Sequence, residues 1–516
     1  MNAKREYGDY QTPPEFADKV CLYLRDCRRV RPSAVVEPTC GVGNFLRSSL
    51  MFSANEYYGV EINPDYCRIC ENAIRDERVS VTQGDAFSFP FRSLVRDSSK
   101  ILVIGNPPWA TNSALSALNS VNLPSKANFK GLKGMDAMTG AANFDICEAV
   151  ILRLIREYRE TRTLIAMLCK TSAARNVFQE LKRTGVHFEC CDLLEFDALQ
   201  IFGVHASACV LLVQLSDSAV SADACRVYDL DNPGKVKEAF RVSGGRLERL
   251  GTTARDFDGR TCFEWRQGVK HDCAKVMELT LRNGVLRNGW NEAVDIEPNL
   301  LFPLVKSSMF KAPVVRDFSK YVIVTQRKAR EDTGRLAREA PKTWAYLNRY
   351  REAFEKRKSS IYRDAPPFSM FGVGPYSYAR YKVGVSGFYK RPLFSVLCSD
   401  DGKPVMTDDT SYFIPFDRYD CAYVAMLLLN SEEIQAFLTE IAFSDAKRPY
   451  TKKVLARLDF GKMVRRLSID DLRRTERNLG LSPYVAASMY DGFRALRTKE
   501  GALLDGSDNH LSEVPG

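Results

Sequence analysis

Histidine is scarce in this chain, with only four among 516 residues. A metal centre built on histidine ligands is therefore not expected, and we predict that the protein holds no metal. Long apolar runs are also missing. No window approaches the ~20 apolar residues of a membrane-spanning helix, and residues 1–6 lack the apolar core of a signal peptide. These absences predict a cytoplasmic protein that does not bind a membrane.

Cysteine usage and charge set further bounds. The 15 cysteines are odd in number and scattered, which favours a reducing compartment over a disulfide framework. The single C-x-x-C motif, Cys67 to Cys70, lacks a second pair or a nearby histidine and does not predict a metal site. With 74 basic and 64 acidic residues the net charge is +10, which mildly favours a polyanionic partner. The length predicts two or three domains.

The most informative stretch is residues 101–109. An apolar run that ends in glycine predicts a buried strand followed by a turn, and the turn is Asn106-Pro107-Pro108-Trp109. Because each proline fixes φ and removes an N–H donor, the Asn106 amide and the Pro107 carbonyl can face outward together. These two groups could each accept a hydrogen bond from one N–H of an exocyclic amine, while Trp109 stacks on the ring that carries the amine.

Three earlier predicted strands also end in an acidic residue. Glu37 ends the first strand, and a turn with Gly41 and Gly43 allows a ligand to approach the backbone closely. A carboxylate at Glu37 suits a cationic group such as an amino-acid ammonium. Glu61, 20 residues after Gly41, has the spacing of a carboxylate that binds ribose hydroxyls, and Asp85 could accept a hydrogen bond from an adenine amine. In an open parallel sheet, strand ends of this kind share the ligand-binding edge.

The residues before the first strand predict a helix. Thr12, Pro13 and Glu15 have the pattern of a capping box with proline in the first turn. The alternative interpretation is that this turn covers a ligand bound by the next strand.

In their order along the chain, these motifs resemble those of the γ-class amino-methyltransferases of DNA, which use S-adenosylmethionine (SAM) and occur in restriction–modification systems. The motifs are Gln11-Thr12-Pro13-Pro14, the segment 37–43, the segment 59–62, Gly84-Asp85 and Asn106-Pro107-Pro108-Trp109. The resemblance covers most of the first domain. It implies an α/β class with a Rossmann-like SAM-dependent methyltransferase sheet.

The resemblance also implies residue roles. Thr12 and Glu37 would lie near the methionine end of SAM, and Ile62 and Ala86 would flank its adenine ring. The residues expected to bind the cofactor are Thr12, Glu37, Thr39, Gly41, Gly43, Glu61, Ile62, Asp85, Ala86 and Asn106. The residues expected to act on the target base are Asn106, Pro107, Pro108, Trp109 and Phe202. Phe202 would stack on the second face of a flipped base, or it is a core residue before a buried strand. The family's usual aromatic residue is Tyr or Phe, so Trp109 is a mild departure that keeps a stacking surface.

The domain organisation follows from composition. We predict a catalytic domain over residues 1–215, a connection with one short strand over 216–255, an α+β target-recognition domain over 256–500 and a disordered tail over 501–516. The stretch 341–357 predicts a basic helix with an aromatic-aliphatic face, and the stretches 372–384 and 387–391 interleave Tyr with Lys and Arg, a pattern that suits stacking and phosphate contact. They resemble, more weakly, the target-recognition domains of γ-class enzymes. An ordinary β-rich domain with surface Lys and Tyr fits the composition equally well.

The predicted function is SAM-dependent methylation of adenine N6 in double-stranded DNA by base flipping. Asn at the start of the Pro-Pro motif is commoner in adenine-N6 enzymes, whereas Ser is commoner in cytosine-N4 enzymes. The alternatives are cytosine-N4 methylation, or the same fold acting on RNA or on a protein glutamine. A fused nuclease and a catalytically silent subunit fit less well, because the first motif begins near Tyr7 and the acidic residues are intact. We expect a monomer, with a separate restriction endonuclease as a candidate partner in the same system.

Overall fold

The computed structural model describes residues 10–95, 100–109, 145–251, 256–443, 448–496 and 503–504. The chain divides into two compact units, Met1–Gly251 and Thr252–Gly516. The polar sequence of residues 113–140, which has little periodicity, predicts a mobile loop over the site; this segment and most of the predicted tail 501–516 lie outside the described residues. The domain boundaries at 215 and 255 remain predictions.

The first unit contains one mixed sheet of ten strands. In chain order these are β1 (Ala34–Glu37), β2 (Glu56–Glu61), β3 (Val79–Gln83), β4 (Ile101–Gly105), β5 (Leu164–Lys170), β6 (Phe188–Asp197), β7 (Ser207–Leu215), β8 (Ala224–Asp229), β9 (Asn232–Ser243) and β10 (Arg246–Arg249). Across the sheet the order is β10-β9-β8-β6-β7-β5-β4-β1-β2-β3.

The sheet has a topological switch between β1 and β4. The chain proceeds outward from β1 through β2 to β3, then returns to place β4 on the other side of β1, and these strands with β5 are all parallel. Strand β7 is antiparallel to both of its neighbours, β5 and β6. Every residue of β1 and β4 is buried, as expected for central strands covered on both faces. The predicted α/β class with a Rossmann-like sheet is confirmed.

The helices of the first unit lie between these strands. They are α1 (Pro14–Leu22), which continues as a π-helical turn (Tyr23–Cys27), α2 (Asn44–Ser49), α3 (Pro64–Ala73), α4 (Ile146–Glu157), α5 (Thr171–Thr184) and α6 (Ala198–Phe202). The predicted capping box at the start of α1 is wrong. The residue before the helix is Pro13, and no side chain caps the helix. Proline at the first helical position already supplies the helical φ and removes one unpaired N–H donor, so a cap from Thr12 is not needed.

The segment 216–255 differs from its predicted form. Where the sequence predicts one short strand, the structure has β8, β9 and β10, which extend the same sheet beyond β6. Most residues of β9 are exposed or half-buried, because these strands lie at the edge of the sheet and bury little. A strand that buries little shows no hydrophobic alternation in its sequence, which explains why it was missed.

The second unit has two five-stranded sheets. The first has the order β11-β20-β17-β18-β15 and the second β13-β12-β16-β14-β19. The strands are β11 (Arg266–Gln267), β12 (Glu278–Arg282), β13 (Val285–Arg287), β14 (Leu301–Val305), β15 (Val314–Val315), β16 (Lys320–Ile323), β17 (Tyr381–Ser386), β18 (Ser395–Leu397), β19 (Met406–Thr407) and β20 (Ser411–Phe416). The predicted α+β character of this part of the chain is thus observed.

Helices complete the second unit. They are α7 (Ala274–Met277), α8 (Leu336–Glu339), α9 (Pro341–Arg349), α10 (Arg351–Glu355), α11 (Tyr419–Asn430), α12 (Glu432–Ile441), α13 (Lys452–Leu455), α14 (Phe460–Arg466), α15 (Ile469–Asn478) and α16 (Ala487–Arg494). Nine consecutive residues of α11 are buried in the main core of this unit. The predicted basic helix 341–357 is two helices, α9 and α10, separated at Tyr350. Across the described ranges, no helix is long and apolar enough to cross a membrane.

Candidate functional site

The turn that follows β1 folds closely around its neighbours. Gly41 and Gly43 have φ values of +51° and +84°, a region that favours glycine. The Gly41 N–H donates to Glu61 Oε2 at 2.9 Å, which joins the turn to the end of β2. A Cβ on Gly43 would lie 2.3 Å from Cys70 Sγ. Both glycines are therefore required by backbone geometry and by close packing.

Glu37 lies buried at the end of β1, with 3% of its surface exposed. Its Oε2 accepts from the Leu46 N–H at 2.8 Å. Burial, with smaller effects of the Cys70 thiol and the Glu61 carboxylate, raises the pKa of Glu37 well above its usual range. No cation among the described residues pairs with it. A ligand that brings an ammonium group would supply the missing partner.

The end of β2 offers a carboxylate and an exposed apolar side chain. Glu61 accepts two backbone hydrogen bonds, from Gly41 and, at 2.9 Å, from the Asn63 N–H. These bonds fix the orientation of the carboxylate. The next residue, Ile62, is 50% exposed, which is unusual for an isoleucine beside a sheet edge. Exposed apolar surface next to a fixed carboxylate is the combination expected where a ring and its sugar bind.

Asp85 and Ala86 follow β3. The Asp85 carboxylate is exposed, and its Oδ1 accepts from the Phe87 N–H at 2.9 Å, which holds the loop in a tight turn. Ala86 is buried with 9% of its surface exposed, and its carbonyl accepts from Arg153 Nη1 at 2.7 Å. The second carboxylate oxygen of Asp85 remains available for a ligand at this edge.

The segment before α1 packs onto the glycine turn. Gln11 Oε1 accepts from the Val42 N–H at 3.3 Å, and the Thr12 carbonyl accepts from Asn44 Nδ2 at 2.8 Å. Thr12 is buried. The segment therefore lies against the turn that follows β1, and the alternative interpretation, that it covers a ligand bound by the next strand, stays a prediction.

Asn106 is the first residue after β4, and the nitrogen and oxygen of its side-chain amide have different surroundings. Nδ2 donates to the Tyr10 carbonyl at 2.8 Å. Oδ1 is buried and has no hydrogen-bond partner in the part of the chain that the structure describes. Because Nδ2 is held by a backbone carbonyl, the amide cannot exchange its two ends without losing that bond. An unpartnered buried acceptor is costly, and a donor on a ligand would remove that cost.

Three aromatic rings lie close to one another beside this turn, those of Tyr10, Trp109 and Phe202. Trp109 and Phe202 lie with ring centroids 5.4 Å apart and planes at 64°, and Tyr10 lies 6.1 Å from Trp109 and 6.2 Å from Phe202. Trp109 is 7% exposed, and its Nε1 has no hydrogen-bond partner. A flat ring between Trp109 and Phe202 needs about 7 Å between their faces, twice the van der Waals spacing. The present edge-to-face contact must therefore open before a base can enter.

All the predicted site residues follow β1, β2, β3 or β4 at their carboxyl ends, except Thr12 and Phe202. The register places β1 directly beside β4, and a Cβ on Gly105 would lie 3.4 Å from Glu37 Cγ. Glu37 and the Asn106 turn are thus immediate neighbours. Thr39 Oγ1 is a further buried polar atom without a partner at this edge. Among the described residues, no group of three or more His, Cys, Asp or Glu is placed to hold a metal ion.

Sequence reasoning missed Tyr10 and Gln11 as site residues. Gln11 opens the short motif before α1 and Tyr10 directly precedes it, but neither residue carries a charge or has a spacing that singles it out. The only available signal was the position of Tyr10 next to a motif that had already been assigned to the site.

No family model matches the chain. The Type II methyltransferase M.NspV of Nostoc sp. (strain ATCC 29411 / PCC 7524) is 37% identical over 470 residues, which span 88% of this chain and 96% of that protein. The type IIG restriction endonuclease BpuSI is 10% identical, with 92% of this chain and 62% of that chain covered and a TM-score of 0.33. A type I restriction-modification system methyltransferase subunit from Streptococcus thermophilus is 12% identical, with coverage of 43% and 47% and a TM-score of 0.29. At these TM-scores the two structures add nothing to the functional assignment.

The glycine turn generates a first test. Gly43→Ala should lower the free energy of unfolding more than Gly185→Ala does, because both residues have positive φ but only the new Cβ at position 43 meets a neighbour. The strain common to both is about 1–2 kcal/mol. Urea denaturation of both variants measures the difference. Equal losses would show that the Cys70 contact is relieved at no cost.

Glu37 generates a second test, which needs no ligand. A carboxyl group whose pKa is raised in the folded state stabilises the protein at low pH and loses that contribution as the pH rises toward the folded-state pKa. Glu37→Gln removes this dependence. Its free energy of unfolding relative to the native sequence should therefore increase with pH, from pH 5 upward, by up to about 1.4 kcal/mol per pH unit.

The control for this test is Glu189→Gln, at an exposed position in the same unit. It should leave the pH dependence of stability unchanged. A pH-independent difference between Glu37→Gln and the native sequence would contradict the assigned burial of the charge.

Proposed function

The chain belongs to the type II methyltransferases, and we propose that it transfers the methyl group of SAM to the N6 amine of an adenine in duplex DNA. The single observation that carries this proposal is the buried Asn106 Oδ1, an acceptor that has no partner. It lies in a turn whose other groups are a carbonyl and an aromatic ring. The membership itself supports methyl transfer; the DNA base, the flipping step and the cofactor are the proposed parts.

The residues at the sheet edge fit SAM as the methyl donor. Glu37, a buried carboxylate without a cation, suits the ammonium of the methionine part. Glu61, fixed by two backbone N–H groups, suits the ribose hydroxyls. Ile62 and Ala86 offer apolar surface to an adenine ring, and Asp85 an acceptor to its amine. When bound, SAM supplies an electrophilic methyl group on a sulfonium.

The residues after β4 fit the amine of a target base. An aromatic amine is a poor nucleophile because its lone pair is delocalised into the ring. If Asn106 Oδ1 and the Pro107 carbonyl each accept a hydrogen bond from one of its N–H groups, the nitrogen becomes more tetrahedral and its lone pair is directed to one side. Position and preorganised acceptors can supply this effect without a general base. Nδ2 of Asn106, held by Tyr10, keeps the acceptor in place.

Stacking on the aromatic rings would offset the free-energy cost of base flipping. Removing a base from the helix costs a few kcal/mol, and stacking on an aromatic side chain is worth about 1–3 kcal/mol. Trp109 is proposed as the stacking surface, with Phe202 on the opposite face. Their edge-to-face contact in the structure means that base entry and ring separation occur together.

Cytosine N4 is the second candidate substrate, because its exocyclic amine would make the same two hydrogen bonds. The Asn that opens the Pro-Pro motif favours adenine. The deciding experiment incubates the purified protein with duplex DNA and SAM, digests the DNA to nucleosides and quantifies methylated bases by mass spectrometry. N6-methyladenine supports the proposal, and N4-methylcytosine replaces the base but keeps the site. If neither methylated base is found although the protein binds SAM, the substrate would instead be RNA or a protein glutamine.

The partners follow from the same proposal. Duplex DNA is the substrate, with the second unit as the target-recognition domain, and a separate restriction endonuclease is the partner that a modification enzyme protects against. We propose that the protein acts as a monomer. The cytoplasm is the proposed location, since DNA and SAM meet there.

Asn106→Ala tests the proposed acceptor. We expect kcat to fall by at least about 10²-fold, the cost of removing one preorganised hydrogen-bonding group from a transition state. SAM affinity, measured by calorimetry, should change little. Asn55→Ala, at an exposed position of the same unit, is the control and should behave as the native protein. Parallel loss of kcat and SAM affinity would instead point to a structural role for Asn106.

Two substitutions at Trp109 distinguish the contribution of ring stacking from that of the indole N–H. Trp109→Phe keeps an aromatic face and removes the indole N–H, whereas Trp109→Ala removes both. We expect kcat/KM to fall by about 5- to 150-fold for the alanine variant, the value of one stacked base, and by much less for phenylalanine. If phenylalanine is as damaging as alanine, the unpartnered Nε1 rather than the ring face is what the base requires.

A further inference from the structure

The second unit contains a cavity of about 410 Å³ that is rich in positive charge. Arg351, Arg357, Lys358 and Arg363 contribute to its lining, and Glu355 is the only acidic residue there. The wall also includes the aromatic residues Phe354, Tyr362 and Phe368. We propose that this cavity binds a backbone phosphate of the DNA duplex. This inference rests on the proposed function, because it takes DNA as the substrate.

The four cations of the cavity have no carboxylate partner within the described residues: none of them forms an ion pair with one. Arg351 donates to Asn348 Oδ1 at 2.6 Å, a neutral acceptor. Four cations around one cavity repel each other, and a purely structural role does not explain why the fold places them together. A phosphate would relieve that repulsion.

Three arginines of the C-terminal basic stretch, residues 447–477, do have carboxylate partners. Arg457 pairs with Asp258 at 2.6 Å and Arg466 with Asp256 at 2.9 Å. Arg474 pairs with Glu433 at 2.9 Å and also with Asp471. Their charge is already compensated inside the protein, so a phosphate there would have to compete with a carboxylate. The cavity cations have no such competitor.

Arg357 gives the cavity a fixed positive centre. Its Nη1 donates to the Ser369 carbonyl at 2.6 Å and to the His271 carbonyl at 3.3 Å, and its Nε to the Phe354 carbonyl at 3.0 Å. Its guanidinium carbon lies 3.7 Å from the centre of the Tyr362 ring. Burial lowers the pKa of Arg357, but an arginine stays charged at physiological pH. This cation is held in place by carbonyls and a ring; the Asp272 carboxylate acts on it electrostatically, but no carboxylate of the described residues forms an ion pair with it.

Lys358 and Arg363 are the exposed members of the group. Neither side chain makes a hydrogen bond to the protein in the described residues. A rigid central cation with exposed cations beside it matches the way proteins hold DNA phosphates, which fix the orientation of the duplex and carry no sequence information. The inferred ligand is accordingly a phosphodiester rather than a base.

The chain offers a matched control for this inference. Lys356 lies two residues from Lys358, does not line the cavity and pairs with Glu352 at 3.1 Å. Replacing either lysine with glutamine removes one positive charge from the same short segment. A general electrostatic effect on DNA binding would be alike for both, whereas a phosphate contact in the cavity would be lost only with Lys358.

The experiment measures binding of the full-length protein to one fluorescent 30-base-pair duplex by anisotropy over a series of NaCl concentrations. Lys358→Gln and Arg363→Gln should each weaken binding by about tenfold at low salt. Each should also reduce the slope of log K against log salt by about 0.9, the value for one phosphate contact. Lys356→Gln should keep the slope of the native protein. SAM binding of each variant verifies that the first unit is intact.

The outcomes separate this inference from the function it rests on. If the native protein methylates and binds DNA but the three variants share one slope, the cavity does not hold a phosphate and the inference fails alone. If the native protein neither binds nor methylates DNA, the proposed function fails and the inference falls with it. Loss of slope in Lys358→Gln and Arg363→Gln, but not in Lys356→Gln, supports both.

Discussion

The pairing of β1 with β4 is the constraint on which the candidate site depends. The two strands are parallel neighbours at the switch point of the sheet, so their carboxyl ends meet at one place. Glu37 ends one strand, and Asn106 follows the other. A Cβ on Gly105 would lie at ordinary van der Waals distance, 3.4 Å, from Glu37 Cγ, so the two strand ends are immediate neighbours. Open parallel sheets bind ligands at such a point, and here the two ends carry a carboxylate and an amide.

Both groups are held in a state that the folded protein alone does not favour. Glu37 is a buried carboxylate whose pKa is raised by burial, and Asn106 Oδ1 is a buried acceptor without a donor. Each costs stability in the absence of a ligand. Neighbouring backbone groups keep them in place: the Leu46 N–H on Glu37 and the Tyr10 carbonyl on Asn106. A stable fold could have removed either cost with a different side chain, so the cost itself points to use by a ligand.

The first-unit sheet could be predicted from the sequence wherever a strand is buried on both faces. The strands before Glu37, Glu61 and Asn106 are short apolar runs that end in a turn, and the structure has them within one residue of the predicted positions. The strands β9 and β10 could not be predicted in this way, because they bury little and show no alternation, whereas β8 matches the one short strand predicted in this segment. The position of Tyr10 could not be predicted either, since its contact with Asn106 spans 96 residues and depends on tertiary packing.

The second unit shows why composition alone could not locate a binding surface. The basic stretches 341–357 and 447–477 look alike as sequences, yet they differ in what lies opposite each cation. Arg457 faces Asp258, from a segment about 200 residues earlier in the chain, and the pair neutralises itself. Arg357 faces carbonyls and a tyrosine ring and keeps its charge. The same criterion therefore applies to both units: a group that the fold buries or gathers and then leaves unsatisfied is where a ligand has most to contribute. Only tertiary contacts distinguish such a group from an identical residue whose partner belongs to the protein.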